Sequence, residues 1–288
     1  MLMKYVILYT LWVLPTLLEA QSRYYVSGSA TGTNTGVSWQ NAFTDLQVAI
    51  ETALAGDTVW VAEGTYYPTD TANRFVSFEP KSGVRLYGGF AGTETDLSER
   101  DWQAHPTVLS GDIGVPNDST DNSLNVMYLH HPDSFTVVDG FTLRDGVADF
   151  TGGLTSSRHR NKSGGGMYIE GKDWEAYPTI QNCIFIHNTA RNFGGGVVVN
   201  GEGTGSIAPK FFNCRFENNR CVSNGGGLAW LGSSWVERGN ELDSCFFVGN
   251  FANRGGGIQY TNSERNDRFD VINSLFSYNF SFLSSAGI

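Results

Sequence analysis

Gly194-Gly195-Gly196-Val197-Val198-Val199, followed after a polar stretch by Cys214-Arg215-Phe216-Glu217-Asn218-Asn219, is the segment whose reading decides the fold. Its first half recurs as Gly164-Gly165-Gly166-Met167, Gly225-Gly226-Gly227-Leu228 and Gly255-Gly256-Gly257-Ile258, so that the four triplets are spaced 30, 31 and 30 residues apart. Its second half recurs as Cys183-Ile184-Phe185-Ile186-His187-Asn188, Cys245-Phe246-Phe247-Val248-Gly249-Asn250 and Ser274-Leu275-Phe276-Ser277-Tyr278-Asn279. A fixed period of this size marks a solenoid, in which one repeat cannot bury its apolar face alone and stacks on the next.

The alternation Cys-x-Phe has period two, so each second half is a strand with Cys and Phe on one face. After the glycines, Met167/Ile169, Val197/Val199, Leu228/Trp230 and Ile258/Tyr260 share a face in the same way. Short strands and turns repeating once per coil predict an all-β, single-stranded parallel β-helix, rising about 4.8 Å per coil. Three sets of columns then serve the stack: Phe185, Phe216, Phe247 and Phe276; Asn188, Asn219, Asn250 and Asn279; and Cys183, Cys214 and Cys245. Phenylalanines fill the narrow interior. The asparagines are expected to take left-handed backbone at a tight bend and to bond amide to amide, and the glycines to supply positive φ.

Upstream the coils are less regular. Val137 to Gly146 reads as the same element, with Phe141 at the Cys position and Leu143 at the Phe position. Further strands are expected at Thr58–Ala62, Val84–Tyr87, Thr107–Leu109 and Val126–Leu129. The inserts Thr69–Phe78, Thr93–Pro106 and Thr151–Ser163 are expected to be loops leaving the wall. Asn41–Leu54 reads as a helix with Phe43, Leu46, Val48, Ile50 and Leu54 on its apolar face and Thr44-x-x-Gln47 as a capping box. Laid across the open first coil, it would cover exposed core and unpaired strand edges.

Residues 1–20 carry the marks of a signal peptide: Lys4, the apolar run Tyr5–Leu18 broken by Pro15, and the small Ala20 before Gln21. An uncleaved anchor is the rival, but the run is shorter than the ~20 residues a span needs. The predicted organisation is therefore a leader at 1–20, an N-terminal strand and capping helix at 21–57, and a parallel β-helix at 58–288 without a transmembrane span. Ser285-Ala286-Gly287-Ile288 aligns with Gly255–Ile258, which suggests a fifth copy and a chain truncated from a longer protein.

With 288 residues, 35 glycines and 17% charged residues, the composition suits an exported all-β chain with many turns. The net charge of −10 argues against nucleic acid, which needs a basic face, and against a polyanionic substrate unless a local basic patch overrides the global field. The four cysteines read as buried small hydrophobes, with Cys221 in the column of Ala190, Ala252 and Ser281. A bridge between neighbouring coils is the alternative, since adjacent Cα atoms come within disulfide range. Their spacing fits no zinc pattern, and no metal or cofactor is expected.

The pairing of Gly-Gly-small-aliphatic with Phe-x-x-Asn resembles the polymorphic outer membrane protein repeat, four times over from Gly164 onward, a little under half the chain. A third glycine stands where that family often has alanine. The stretch from Tyr24-Tyr25-Val26 through Gly64-Thr65-Tyr66, together with Val84–Gly92 and Leu109–Asp112, resembles the start of bacterial β-helix proteins of the pectate-lyase-like superfamily. The resemblance implies a right-handed β-helix outside the cell or on its outer membrane, among surface-displayed proteins of which several are adhesins. The wider superfamily includes polysaccharide lyases and hydrolases. All matching positions are scaffold, so no catalytic residue carries over.

A lyase needs a base and positive charge or Ca²⁺ beside the substrate carboxylate, the one circumstance in which Ca²⁺ would be called for. A hydrolase needs converging carboxylates. The candidates are Arg158, Arg160 and Lys162 in the one dense basic run, which also holds His159, and Asp139 and Asp145, with Asp149, Glu217 and His187 nearby in the pattern. Each has a plainer reading, the basic run as a solvated loop and Asp139 and Asp145 as turn residues. Tyr168, Trp174, Tyr177 and Trp235 are candidate sugar-stacking rings. The favoured reading is a monomeric surface scaffold for adhesion, binding glycans or molecules of a host or neighbouring surface; the alternative is a lyase or hydrolase acting on acidic polysaccharide.

Overall fold

The computed structural model of the chain describes residues 21–153, 156, 158–203, 206–232, 240–261, 269–283 and 286–287. The predicted leader, Trp235, Ser285 and Ile288 lie outside these residues. The strands run parallel and in register from coil to coil, and the eight strands of the largest sheet count eight coils of a right-handed β-helix.

A coil of the regular half passes through four sheets. From Val197–Asn200 in the glycine-following wall the chain makes an excursion and enters the first sheet at Lys210–Phe212. It bends at Asn213 into the second sheet at Arg215–Glu217, and bends again at Asn218 into the two-residue strand Arg220–Cys221 of the third. The triplet Gly225–Gly227 then leads into Leu228–Leu231, beside the strand where the coil began. The faces around one narrow lumen leave room for only one or two inward apolar side chains per strand and coil. For that reason identical residues recur at each level.

The phenylalanines stack along that lumen. Ring centroids are 5.1 Å apart for Phe185 and Phe216, 4.4 Å for Phe216 and Phe247, and 4.8 Å for Phe247 and Phe276, the last two pairs within 3° of parallel. Leu143 continues the column below Phe185. Cys183, Cys214 and Cys245 are fully buried free thiols whose Sγ atoms donate to nearby backbone carbonyls. Burial pushes the Cys221 thiol up to about 12, in a small-residue column with Ala148, Ala190 and Ala252.

In its middle rungs the asparagine ladder uses every hydrogen-bonding site of the amide. Asn219 Oδ1 accepts from Asn188 N and Nδ2, both at 3.1 Å, while Asn219 Nδ2 donates to Phe185 O (2.8 Å) and Asn250 Oδ1 (3.1 Å). The sequence reading misplaces the left-handed backbone by one residue. Positive φ falls on His187 (57°), Asn218 (51°), Gly249 (68°) and Tyr278 (52°), each just before a ladder asparagine, because that twist turns the asparagine inward. A second, outer ladder was not foreseen: Asn213 Nδ2 donates to Asn182 Oδ1, and both residues have positive φ at the bend between the first and second sheets.

The glycine triplets also divide their work. Only the first of each has positive φ, for example Gly194 at 54°. The second is required by closeness: a Cβ on Gly195 would lie 2.5 Å from Arg220 O and 2.6 Å from Gly226 O. Gly257 N and Ile258 N donate to Ala286 O and Gly287 O, continuing the same pattern one coil on.

At the other end, helix α1 spans Leu46–Thr52, shorter than the predicted 41–54. Phe43 is held extended by a bridge to Val26, and the Asn41 carbonyl accepts from Thr35 N and Gly36 N, so the chain is committed to a turn before the helix starts. Asp45, not Thr44, caps it, accepting from Gln47 N. Leu46, Ala49 and Ile50 pack onto the core, whereas Val48 and Leu54, expected on that face, are exposed. Among the described residues no helix is long and apolar enough to cross a membrane.

Candidate functional site

Alternation along the glycine-following strands sends Met167 and Ile169 inward and Tyr168 and Glu170 outward. Register aligns the outward residues in two columns: Tyr128, Tyr168, Val198 and Ala229; and His130, Glu170, Asn200 and Leu231. Over the lower end of this wall lies the loop that carries the basic run.

That loop is anchored at several points. Arg74 pairs with Asp149 at 2.7 Å, and Phe75 meets Phe150 edge to face. The amide of buried Asn125 donates to the carbonyls of Arg160, Ser163 and Gly164 at 2.7–3.1 Å. Tyr168 is the clamp: its hydroxyl donates to Arg158 O (2.7 Å) and accepts from Asn200 Nδ2 (2.8 Å). Arg160 spans Glu79 at 2.7 Å and the face of the Tyr128 ring at 4.3 Å.

A cavity of about 200 Å³ results, lined by Tyr128, Arg158, His159, Arg160, Tyr168, Glu170, Lys172, Asn200 and Glu202. The Tyr128 hydroxyl donates to Glu170 Oε2, and His130 Nε2 stands 3.9 Å from the same oxygen. Arg158 faces Glu202 at 3.9 Å, and Lys172 makes no ion pair among the described residues. Burial, reinforced by the hydrogen bond to Glu170 and its charge, pushes the Tyr128 phenol well up; burial does the same at Tyr168. Burial and then the Arg160 charge hold His159 below its ordinary value. Its Nδ1 accepts from Asn161 N, so neutral His159 carries its proton on Nε2 and offers a donor rather than a base.

An aromatic run leads from the pocket to solvent. Tyr128 contacts His130, His130 lies 3.9 Å from His131, and His131 stacks at 5.2 Å on Trp174, which is 61% exposed. Trp174 is thus an open platform, whereas Tyr168, expected to be one, is 2% exposed and serves as the clamp.

The five candidate catalytic residues do not converge. Arg158 and Arg160 line the pocket; Lys162 ends the short helical turn outside it, its carbonyl accepting from Asn192 N. Asp139 ends a strand just before the bend at Gly140 (φ 83°), but its side chain is committed. It is 1% exposed, ion-paired with Arg100, and accepts from Gln181 Nε2 (2.7 Å) and Asn182 Nδ2 (2.8 Å), which commits it to holding the loop that contains Arg100 against the wall. Asp145 sits at another corner with φ 62°, and burial, with a smaller contribution from Asp112, raises its pKa. Glu217 pairs with Arg215 on the second sheet, and His187 occupies a left-handed bend. Glu170, Lys172, Asn200, Glu202 and the His130–His131 pair escaped the sequence reading, although for Glu170 and Asn200 the odd-even register after the glycines carried the signal. Among the described residues no group of three or more His, Cys, Asp or Glu side chains is arranged to hold a metal ion.

No protein-family model matches the chain, and no curated protein sequence does. Two solved structures are similar. One is pectate lyase Pel9A, at 16% identity over 93% of this chain and 57% of that one, with a TM-score of 0.51. The fold is the pectate-lyase β-helix. The other is the pectin methylesterase from Aspergillus niger, at 11% identity over 92% of this chain and 89% of that one, with a TM-score of 0.33. At such identity the likeness is one of fold, and the β-helix described here spans a little over half the length of the Pel9A chain.

Proposed function

We propose that this protein is an exported β-helix that binds glycan on its outer wall, at the pocket beneath Arg158, and so acts in adhesion at a cell surface. The observation that carries the reading is the Tyr168 clamp. By fixing the Arg158 carbonyl, it turns a basic run that would otherwise be solvated into one side of a pocket. Arg158 and Lys172 supply donors and positive charge for a uronate carboxylate, Glu170 faces sugar hydroxyls, and exposed Trp174 gives a ring face at the rim. This local patch answers the objection that the chain's net charge of −10 raises against acidic ligands. The leader at 1–20, the polymorphic outer membrane type of repeat and a monomeric state belong to the same proposal.

Titration with hexagalacturonate by calorimetry is the test. Arg158→Ala and Lys172→Ala should each weaken binding by about tenfold, less at high salt. Binding unaffected by both, or no binding, sinks the reading. A polysaccharide lyase or hydrolase is the second reading, favoured by Glu170 and Glu202 sharing the pocket with Arg158. Sustained release of unsaturated uronate or reducing ends, abolished by Glu170→Gln, would put it first.

A further inference from the structure

A second groove of about 350 Å³ opens on a different wall, between the loop 91–106 and the outer face of the second sheet. Its floor is one outward column from three successive coils, Thr142, Ile184 and Arg215, which are paired in register. Glu217 lies beside Arg215, and Trp102 and Gln103 form the facing side. The loop is built to hold Trp102 there. Arg100 buries its guanidinium against Asp139 and donates to Gly88 O (2.9 Å), and Gly89 leaves the space that the Trp102 backbone fills, since a Cβ on Gly89 would lie 2.4 Å from Trp102 Cα.

We propose that this groove is a saccharide-binding site for a neutral sugar chain, separate from the pocket beneath Arg158. A pyranose is apolar on its C–H faces and carries vicinal hydroxyls at its edge, each both donor and acceptor. Trp102 and Ile184, both half-buried, offer the apolar surfaces. Arg215 has only donors and Glu217 only acceptors, and their contact, with Arg215 Nε 2.6 Å from Glu217 Oε1, sets the two kinds side by side as a vicinal diol requires. The pair is neutral as a whole, so nothing in it selects a phosphate or carboxylate. The floor column runs along the helix axis, so an oligosaccharide would lie across coils, and the volume falls in the range of small-molecule sites. With sites on two walls, one molecule can hold two chains.

The experiment titrates the full chain with cellohexaose, xylohexaose, mannohexaose and chitohexaose by calorimetry, with tryptophan fluorescence in parallel. At least one should bind. Trp102→Ala should weaken that binding by about tenfold and Glu217→Gln several-fold, while Trp102→Phe retains most of it and Arg158→Ala leaves it unchanged. Because Trp102 and Glu217 lie on different elements, a misfolded loop in one variant does not remove the test. The proposal fails if none of the four binds, if Trp102→Ala and Glu217→Gln both leave binding intact, or if binding disappears with Arg158→Ala instead. That last result would place the neutral ligand in the wall pocket and leave the reading of that pocket standing.

Discussion

The coils before Gly164 and those after it are built on the same register but spend their residues differently. After Gly164 each level repeats the last: parallel phenylalanines, saturated asparagine amides, and bends of one or two residues. Before it, inward positions vary among Val59, Leu86, Val138, Leu109 and Leu143, and loops of ten residues or more leave the wall. The anchoring loop contacts come from that first half: Arg100 with Asp139, Arg74 with Asp149, Arg160 with Glu79. Both candidate sites lie where an irregular loop folds back over regular strands. Repetition thus supplies a rigid wall, and departure from it supplies the chemistry.

Breaking the regular half should cost most. Phe216→Ala removes a ring stacked on both sides and leaves a cavity in a lumen that cannot collapse, so chemical denaturation should show a loss of ~4 kcal/mol. A loss below ~1 kcal/mol would mean that the columns do not carry the stack. In the irregular half, Asp139→Asn strips the charge from a buried pair. A loss of ~3 kcal/mol is expected, with hydrogen exchange rising in loop 91–106 but not in the coils after Gly225. Uniform exchange along the chain would erase the distinction between wall and loop.

The smallest effect sharpens the comparison at a single bend. Asp145 occupies the position held by His187, Asn218, Gly249 and Tyr278 in later coils. Its pKa is raised above the ordinary 3.8, so the folded state holds the proton more tightly and stability falls as pH climbs through the window above 3.8. Asp145→Asn, which also suits the left-handed backbone, should therefore raise the melting temperature at pH 7. The gain should vanish below pH 3.8. A gain that persists in acid would assign the effect to backbone preference alone.

How much could be read beforehand follows the same division. The Phe and Cys columns, the element at Val137–Gly146 and the strand Thr58–Ala62 were legible because period two and a fixed repeat leave little choice of face. The helix was overextended because apolar spacing cannot show that Phe43 is already claimed by Val26. Asp139 read as a turn residue because its partner Arg100 lies 39 residues earlier in a loop without pattern. The wall pocket was half visible: Arg158 and Arg160 stood out by charge, while Glu170, Lys172 and Asn200 did not.

The amino-acid sequence by itself determined the repeat length, which residues face the lumen and that the strands stack in parallel, since those depend on spacing alone. The tertiary structure decided which loop lies on which wall, which turned Tyr168 into a clamp and Asp139 into an anchor, and brought Trp102 over Arg215 and Glu217. The reason is physical. Coil stacking is set by nearest neighbours one period away, whereas a loop is placed by a few ion pairs and hydrogen bonds between residues whose separation follows no period.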